Sequence, residues 1–385
     1  MEEAVVLYPT PAIGHVRAMV ELGKVILSHQ PSLSIHVLIA TPPHQADGTA
    51  PYITAASSAS PGFTFHRLPE TTLPPPSSKA AGGHEGPIFE VLHLNNPFIH
   101  EALVSISKNS KIQALIMDFF ISVAFQVATE LNIRPYYLYT NGAGSLASFL
   151  YLPTLHNQTT ESFKDMDVLL DIPGVPPVPA KDMISPLLDR NQKAYEFFYG
   201  CSITMAKSAG IITNTFEALE PRVIKAISDG LCVPDAPTAP LYCIGPLIAS
   251  TDEKKTGGAS GGRMAECLTW LDSQPSKSVV YLCFGSLGLF SKEQLREMAL
   301  GLERSGQRVL LVEEMKIALP MVELEKGFVS SDEVEKRVRE LMKSKEGKVV
   351  REQITAMKEA AKAAWGEGGS SHLALAKLVE SWKHE

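Results

Sequence analysis

Cysteine is scarce in this 385-residue chain: Cys201, Cys232, Cys243, Cys267 and Cys283 make an odd total and form no C-x-x-C pair. That spacing excludes a structural zinc site and a disulfide framework, and it suits a reducing compartment. Basic clusters are also missing. Lys and Arg total 35 against 42 Asp and Glu, a net charge of −7, so nucleic acid is not an expected partner. The longest apolar stretch, Ala114 to Ala128, is broken by Asp118 and Gln126, which argues against a membrane span. The chain opens Met-Glu-Glu and its first apolar run ends at Pro9, unlike a signal peptide, so a cytoplasmic location is expected. No G-x-G-x-x-G, P-loop or H-E-x-x-H motif occurs, which leaves dehydrogenase, kinase and metalloprotease readings without support. The eleven histidines are scattered, and no metal site or cofactor is expected.

What is present is apolar alternation. At 45% apolar residues the chain has material for two lobes with cores of their own. Short β-branched runs at Ala4–Leu7, Ser34–Ala40, Phe63–Arg67, Ala114–Asp118, Arg134–Tyr139, Gly210–Asn214 and Leu241–Ile244 alternate with helical patterns. This predicts an α/β lobe with a doubly wound parallel sheet over 1–245. The Pro- and Gly-rich segments Leu73–Pro87 and Ile172–Pro179 read as surface loops. A flexible linker over 246–262, rich in small and charged residues, leads to a second unit over 263–385. That unit offers two strands, Val279–Phe284 and Arg308–Val312. Three helical patterns follow, at Ser331–Ser344, Val350–Ala364 and Ser370–Lys383, and a capping box at Ser291 precedes a further helix. Two strands are too few for a doubly wound lobe, so the second unit is expected to be incomplete.

The stretch YPTPAIGHV, Tyr8 to Val16, sets a Gly-His pair straight after the first strand. A strand, tight turn and helix start aim side chains at the crevice above the carboxyl ends of a parallel sheet, so His15 is a candidate base. The plainer alternative is a turn histidine packed over the helix start.

Together with LIMDFF (Leu115–Phe120), TNTFEALEP (Thr213–Pro221), CLTWLDSQPSKSVVYLCFGSLG (Cys267–Gly288) and GGSS (Gly368–Ser371), this stretch resembles the plant UDP-dependent glycosyltransferases, especially those acting on flavonoids, chalcones and related phenols. The resemblance implies two Rossmann-like lobes of the GT-B type, with the phenolic acceptor on the first and the UDP-sugar mainly on the second. It also implies an inverting transfer by a monomer, with glucose as the expected sugar. One departure stands out. The family's donor-binding signature opens with Trp-Ala-Pro-Gln, passes through His-Cys-Gly-Trp-Asn-Ser and closes on an acidic residue and Gln; none of it occurs here. Ser305–Leu311 runs straight into Val312–Met321, which resembles a segment beyond the signature. The second lobe is therefore expected to be truncated, and the alternative function is phenol binding without transfer.

The resemblance implies roles for particular residues. His15 becomes the base, and a helix N-terminus is expected to favour its neutral form. Asp118 becomes the carboxylate behind it, the alternative being a cap on the next helix. Gly14, Phe119 and Phe120 fall to the acceptor side, where either phenylalanine is equally readable as core. Thr140 matches a position whose hydroxyl contacts the sugar, with helix capping the alternative. Gly285 and Ser286 match a turn that meets the diphosphate. The pair Glu313–Glu314 reads as a solvated helix start, since two carboxylates repel a diphosphate.

Overall fold

The computed structural model describes residues 1–41, 46–60, 62–71, 86–248, 269, 271–275, 279, 290–305 and 328–383. It divides into two compact units, 1–256 with 363–385, and 257–362.

In the first unit β1 (Glu2–Tyr8), β2 (Ser34–Ile39), β3 (Phe63–Arg67), β4 (Ser110–Asp118), β5 (Pro135–Tyr139), β8 (Gly210–Thr213) and β9 (Leu241–Cys243) form one parallel sheet in the order β3-β2-β1-β4-β5-β8-β9. All seven expected strands are there. Ala4 through Tyr8 have no exposed surface, because a central parallel strand is covered on both faces and so reads as an unbroken apolar run. Side chains alternate between two cores. Val6, Tyr8, Leu115 and Met117 face the helices Asn96–Ser107 and Ala143–Gln158. Val5, Leu7, Ala114 and Ile116 face α1 (Ile13–His29) and the C-terminal helix Ser370–Glu380. Gly23 of α1 has to be small: a Cβ there would lie 2.7 Å from the Phe63 ring. Within the Ile172–Pro179 loop, Val178–Pro179 (β7) pairs briefly with Leu169–Leu170 (β6), which the Pro content had argued against; two residues at an edge tolerate a proline.

The chain from Ala363 onward belongs with the first unit: the sequence boundaries had grouped it with the second, while the resemblance implies a helical tail that crosses back to pack on the first lobe. Leu375, Leu378, Val379 and Trp382 enter the second core, and Arg134 donates to the carbonyls of Ser381 and Trp382, both at 2.6 Å. A guanidinium on the last carbonyls of a helix satisfies acceptors and meets the negative end of its dipole. Ser371 adds a bond to the Gly245 carbonyl at 2.6 Å. Replacing Arg134 with Met is expected to lower stability by about 2 kcal/mol. Hydrogen exchange should then quicken in Ser370–Glu380 and stay slow in β4.

In the second unit the helix Lys292–Ser305 packs on the helix Ser331–Lys343. The expected capping box is half formed. Ser291 accepts from the Gln294 amide at 3.1 Å, but the Gln294 side chain turns away to bond both N–H and C=O of Val329, at 2.8 and 2.9 Å. The helix expected at Val350–Ala364 starts earlier and runs from Lys345 to Trp365. The two strands expected in this unit lie, but for Val279, outside the described residues, as do 249–262 of the linker and 73–85 of the first Pro-rich loop.

Candidate active site

Strand order reverses direction between β1 and β4: the chain builds outward one way through β2 and β3, and the other way through β5, β8 and β9. Such a switch point opens a crevice above the strand ends. His15 comes from the β1 side, third in α1 after the turn Pro9–Ala12. Asp118 is the last residue of β4 and has no exposed surface.

The two meet. His15 Nδ1 lies 2.6 Å from Asp118 Oδ2, and Asp118 Oδ1 accepts from the Phe120 amide at 3.3 Å. A carboxylate accepts, so Nδ1 carries the proton and Nε2 is the basic nitrogen of the neutral ring. The His15 side chain keeps 24% of its surface. Burial by itself lowers the His15 pKa, but the hydrogen bond and the charge of Asp118 outweigh it, and the net shift is upward from 6.5. The helix N-terminus was expected to favour the neutral form; the contact with the Asp118 carboxylate acts in the opposite direction and sets the net one. The capping expected as the alternative for Asp118 shrinks to its bond with Phe120, because the next helix starts further on, at Ala124.

Phe119 and Phe120 both approach the His15 ring, with centroids at 5.9 and 5.5 Å, and the structure separates their roles. Phe119 is 5% exposed and packs on Tyr139 and Phe149, so it is core. Phe120 stays partly exposed, against Phe198 at 5.5 Å. Gly14 is exposed, and a Cβ built on it meets nothing within 4 Å, which leaves open ground beside His15. Thr140 directly follows β5, the strand next to β4, and is partly exposed. It does not cap a helix. The cap of Ala143–Gln158 is Gly142, and the Ala143 and Gly144 amides donate to the Glu220 carboxylate. Gly285 and Ser286 lie outside the described residues.

Sequence reasoning quoted Glu220 inside a motif and gave it no task. No local signal marks it, since the two amides that it holds are 76 and 77 residues away. Among the described residues no group of three His, Cys, Asp or Glu side chains is placed to hold a metal ion, and no helix is long and apolar enough to cross a membrane.

A family model for the glycosyltransferase N-terminal domain matches residues 2–249. UDP-glycosyltransferase 88B1 of Stevia rebaudiana is 38% identical, over 99% of this chain and 99% of its own length. The anthocyanidin 5,3-O-glucosyltransferase of a Rosa hybrid cultivar is 36% identical, over 100% and 99%. The first of these alignments runs over 468 positions, against 385 residues here, so at least 83 (468 less 385) have no counterpart in this chain. Among solved structures, Phytolacca americana UGT2 complexed with UDP-2fluoro-glucose and pterostilbene superposes with a TM-score of 0.85 at 27% identity, covering 99% of this chain and 100% of that one.

Proposed function

Since the chain belongs to the UDP-glycosyltransferases, transferases of the GT-B type, we propose that it moves glucose from UDP-glucose to a hydroxyl of a flavonoid-like phenol with inversion at the anomeric carbon. The observation that carries this reading is the 2.6 Å contact between His15 and Asp118 at the switch point.

The chemistry follows from the pair. A phenol with a pKa near 10 is a poor nucleophile at neutral pH until a base takes its proton. His15 Nε2 accepts that proton as the phenol oxygen forms its bond to the anomeric carbon. The bond from that carbon to the diphosphate breaks on the opposite face, and UDP departs with the electron pair. One displacement inverts the centre, so an α-linked donor yields a β-glucoside. The imidazolium is stabilised by Asp118, held in place through Phe120. Phe120 and the open ground over Gly14 receive the flat acceptor. Thr140 reaches a sugar hydroxyl, while Gly285 and Ser286 meet the diphosphate. The protein acts as a monomer in the cytoplasm, without a metal or cofactor. Incubation with UDP-glucose and a flavonol or chalcone tests the reading: β-glucoside and UDP should form in equal amounts, and UDP-galactose should serve less well.

One observation favours a second reading, phenol binding without transfer: the donor signature is absent from the sequence, and at least 83 aligned positions have no counterpart here. Each charge-assisted bond lost from the diphosphate weakens donor binding by roughly 1.5–3 kcal/mol. Calorimetric titration with UDP-glucose separates the readings. Grafting the signature segment from a relative between Val309 and Val312 is expected to tighten UDP binding at least about tenfold, the effect of a single such bond. An unchanged affinity in a folded graft would show that the missing segment is not what limits this chain.

A further inference from the structure

The first amides of the helix Ala143–Gln158 are satisfied from far along the chain. Glu220 stands just before the helix Pro221–Ser228; its Oε2 accepts from the Ala143 amide and its Oε1 from the Gly144 amide, each at 2.8 Å. The Thr215 hydroxyl donates to Oε2 as well. A carboxylate across two amides at the positive end of a helix is a charge-assisted clamp. Gly142 makes room for it, since a Cβ there would lie 2.8 Å from Glu220 Oε2. The same stretch is held once more from β8: Thr213 Oγ1 donates to the Asn141 carbonyl at 2.9 Å, and the Asn214 amide donates to Tyr139 O at 3.2 Å.

Tyr139 through Gly144 is therefore fixed on each side of Thr140, while the Thr140 hydroxyl has no hydrogen-bond partner among the described residues. Its strand is the neighbour of the one that carries Asp118, with Asp118 opposite Leu138 in register. A loop this firmly held around one unengaged hydroxyl presents that hydroxyl at a set place beside the dyad. Because Glu220 already takes both lead amides, they offer nothing to a diphosphate, and the loop is left to meet neutral hydroxyls. We propose that Glu220 is a positioning residue that sets the Thr140 hydroxyl toward the sugar of the UDP-sugar. This rests on the transfer reading above.

The test uses the full chain with Glu220→Gln, Thr140→Ala and both together. In Glu220→Gln the new side chain would turn an NH₂ group toward one of the two amides, so one acceptor is lost while size is kept. Amide exchange at Ala143 and Gly144 should then quicken about tenfold or more, with β4 and β5 unchanged. The KM for UDP-glucose should rise about tenfold, while the dissociation constant of the phenol, read by fluorescence quenching, stays the same. Thr140→Ala should raise the same KM, and adding it to Glu220→Gln should change nothing more. Additive effects, or a loss shared equally by the phenol, would overturn the assignment. If the wild-type chain transfers no sugar, the transfer reading falls by itself and calorimetric titration with UDP-glucose decides the positioning claim: weaker binding by Glu220→Gln and by Thr140→Ala supports it, and unchanged binding overturns it.

Discussion

His15→Ala is expected to abolish detectable glucoside formation, a loss of at least about 10²–10⁴ in kcat/KM. Without the imidazole, the phenol proton has to leave to water while the oxygen attacks, and nothing on Asp118 substitutes: the carboxylate is fully buried and its Oδ1 is turned to the Phe120 amide. The loss should fall on the chemical step, so quenching by a bound flavonol should persist. One complication is stability, because removing the ring leaves a buried carboxylate without its partner, and that destabilises. His15→Gln answers it. A glutamine side chain still offers an N–H toward Asp118 but no basic nitrogen, so that variant should be folded, bind phenol and remain inactive. Product formation by liquid chromatography, next to thermal unfolding of each variant, distinguishes a lost base from a lost fold.

Asp118→Asn should cost nearly as much, about 10⁴-fold, the scale seen when the orienting carboxylate of an acid-base pair becomes an amide. An asparagine NH₂ donates to Nδ1 and drives the ring proton to Nε2, the nitrogen that has to accept. The substitution should also reverse the direction of the His15 pKa. In the native protein burial lowers it and Asp118 raises it by more; with the charge gone, burial is left and the value should fall below 6.5. The sign for catalysis follows from the base needing its neutral form. Native kcat/KM should climb with pH through a pKa above 6.5, and the residual activity of Asp118→Asn should climb through one below it. Stability follows the same group. The raised pKa contributes stability in full below the unfolded value near 6.5, and that contribution is lost as pH rises through the folded-state pKa. The ring resonances of His15, followed against pH in both proteins, check the two values directly.

Much of this was readable from the sequence for a physical reason. Central parallel strands are covered on both faces, so Ala4–Leu7 and Ala114–Asp118 appear as continuous apolar runs, and a polar side chain at the end of such a run falls in the crevice. Asp118 ends such a run, and His15, 103 residues away, follows the other across a tight turn at a helix start. Four things were not readable. The net direction of the His15 pKa is a balance of burial against the contact with Asp118, which spacing alone does not give. Glu220 acts on amides 76 and 77 residues away, with no pattern near it to say so. The boundary of the tail was drawn by its order in the chain, although the resemblance implied packing on the first lobe, where Arg134 and the core around Leu378 hold it. Phe119 and Phe120 were indistinguishable as letters; the turn after β4 buries one and leaves the other partly exposed.

The claim at the centre is that His15, held by Asp118, takes the proton from a phenol while glucose passes from UDP-glucose. The most direct measurement is a single incubation of the native chain and of His15→Gln with UDP-glucose and a flavonol, with glucoside and its anomeric configuration read by nuclear magnetic resonance. The account predicts a β-glucoside from the native protein and none from the variant, with both proteins folded and both binding the flavonol. Equal product from His15→Gln, an α-glucoside, or no product from a native chain that binds both substrates would contradict it.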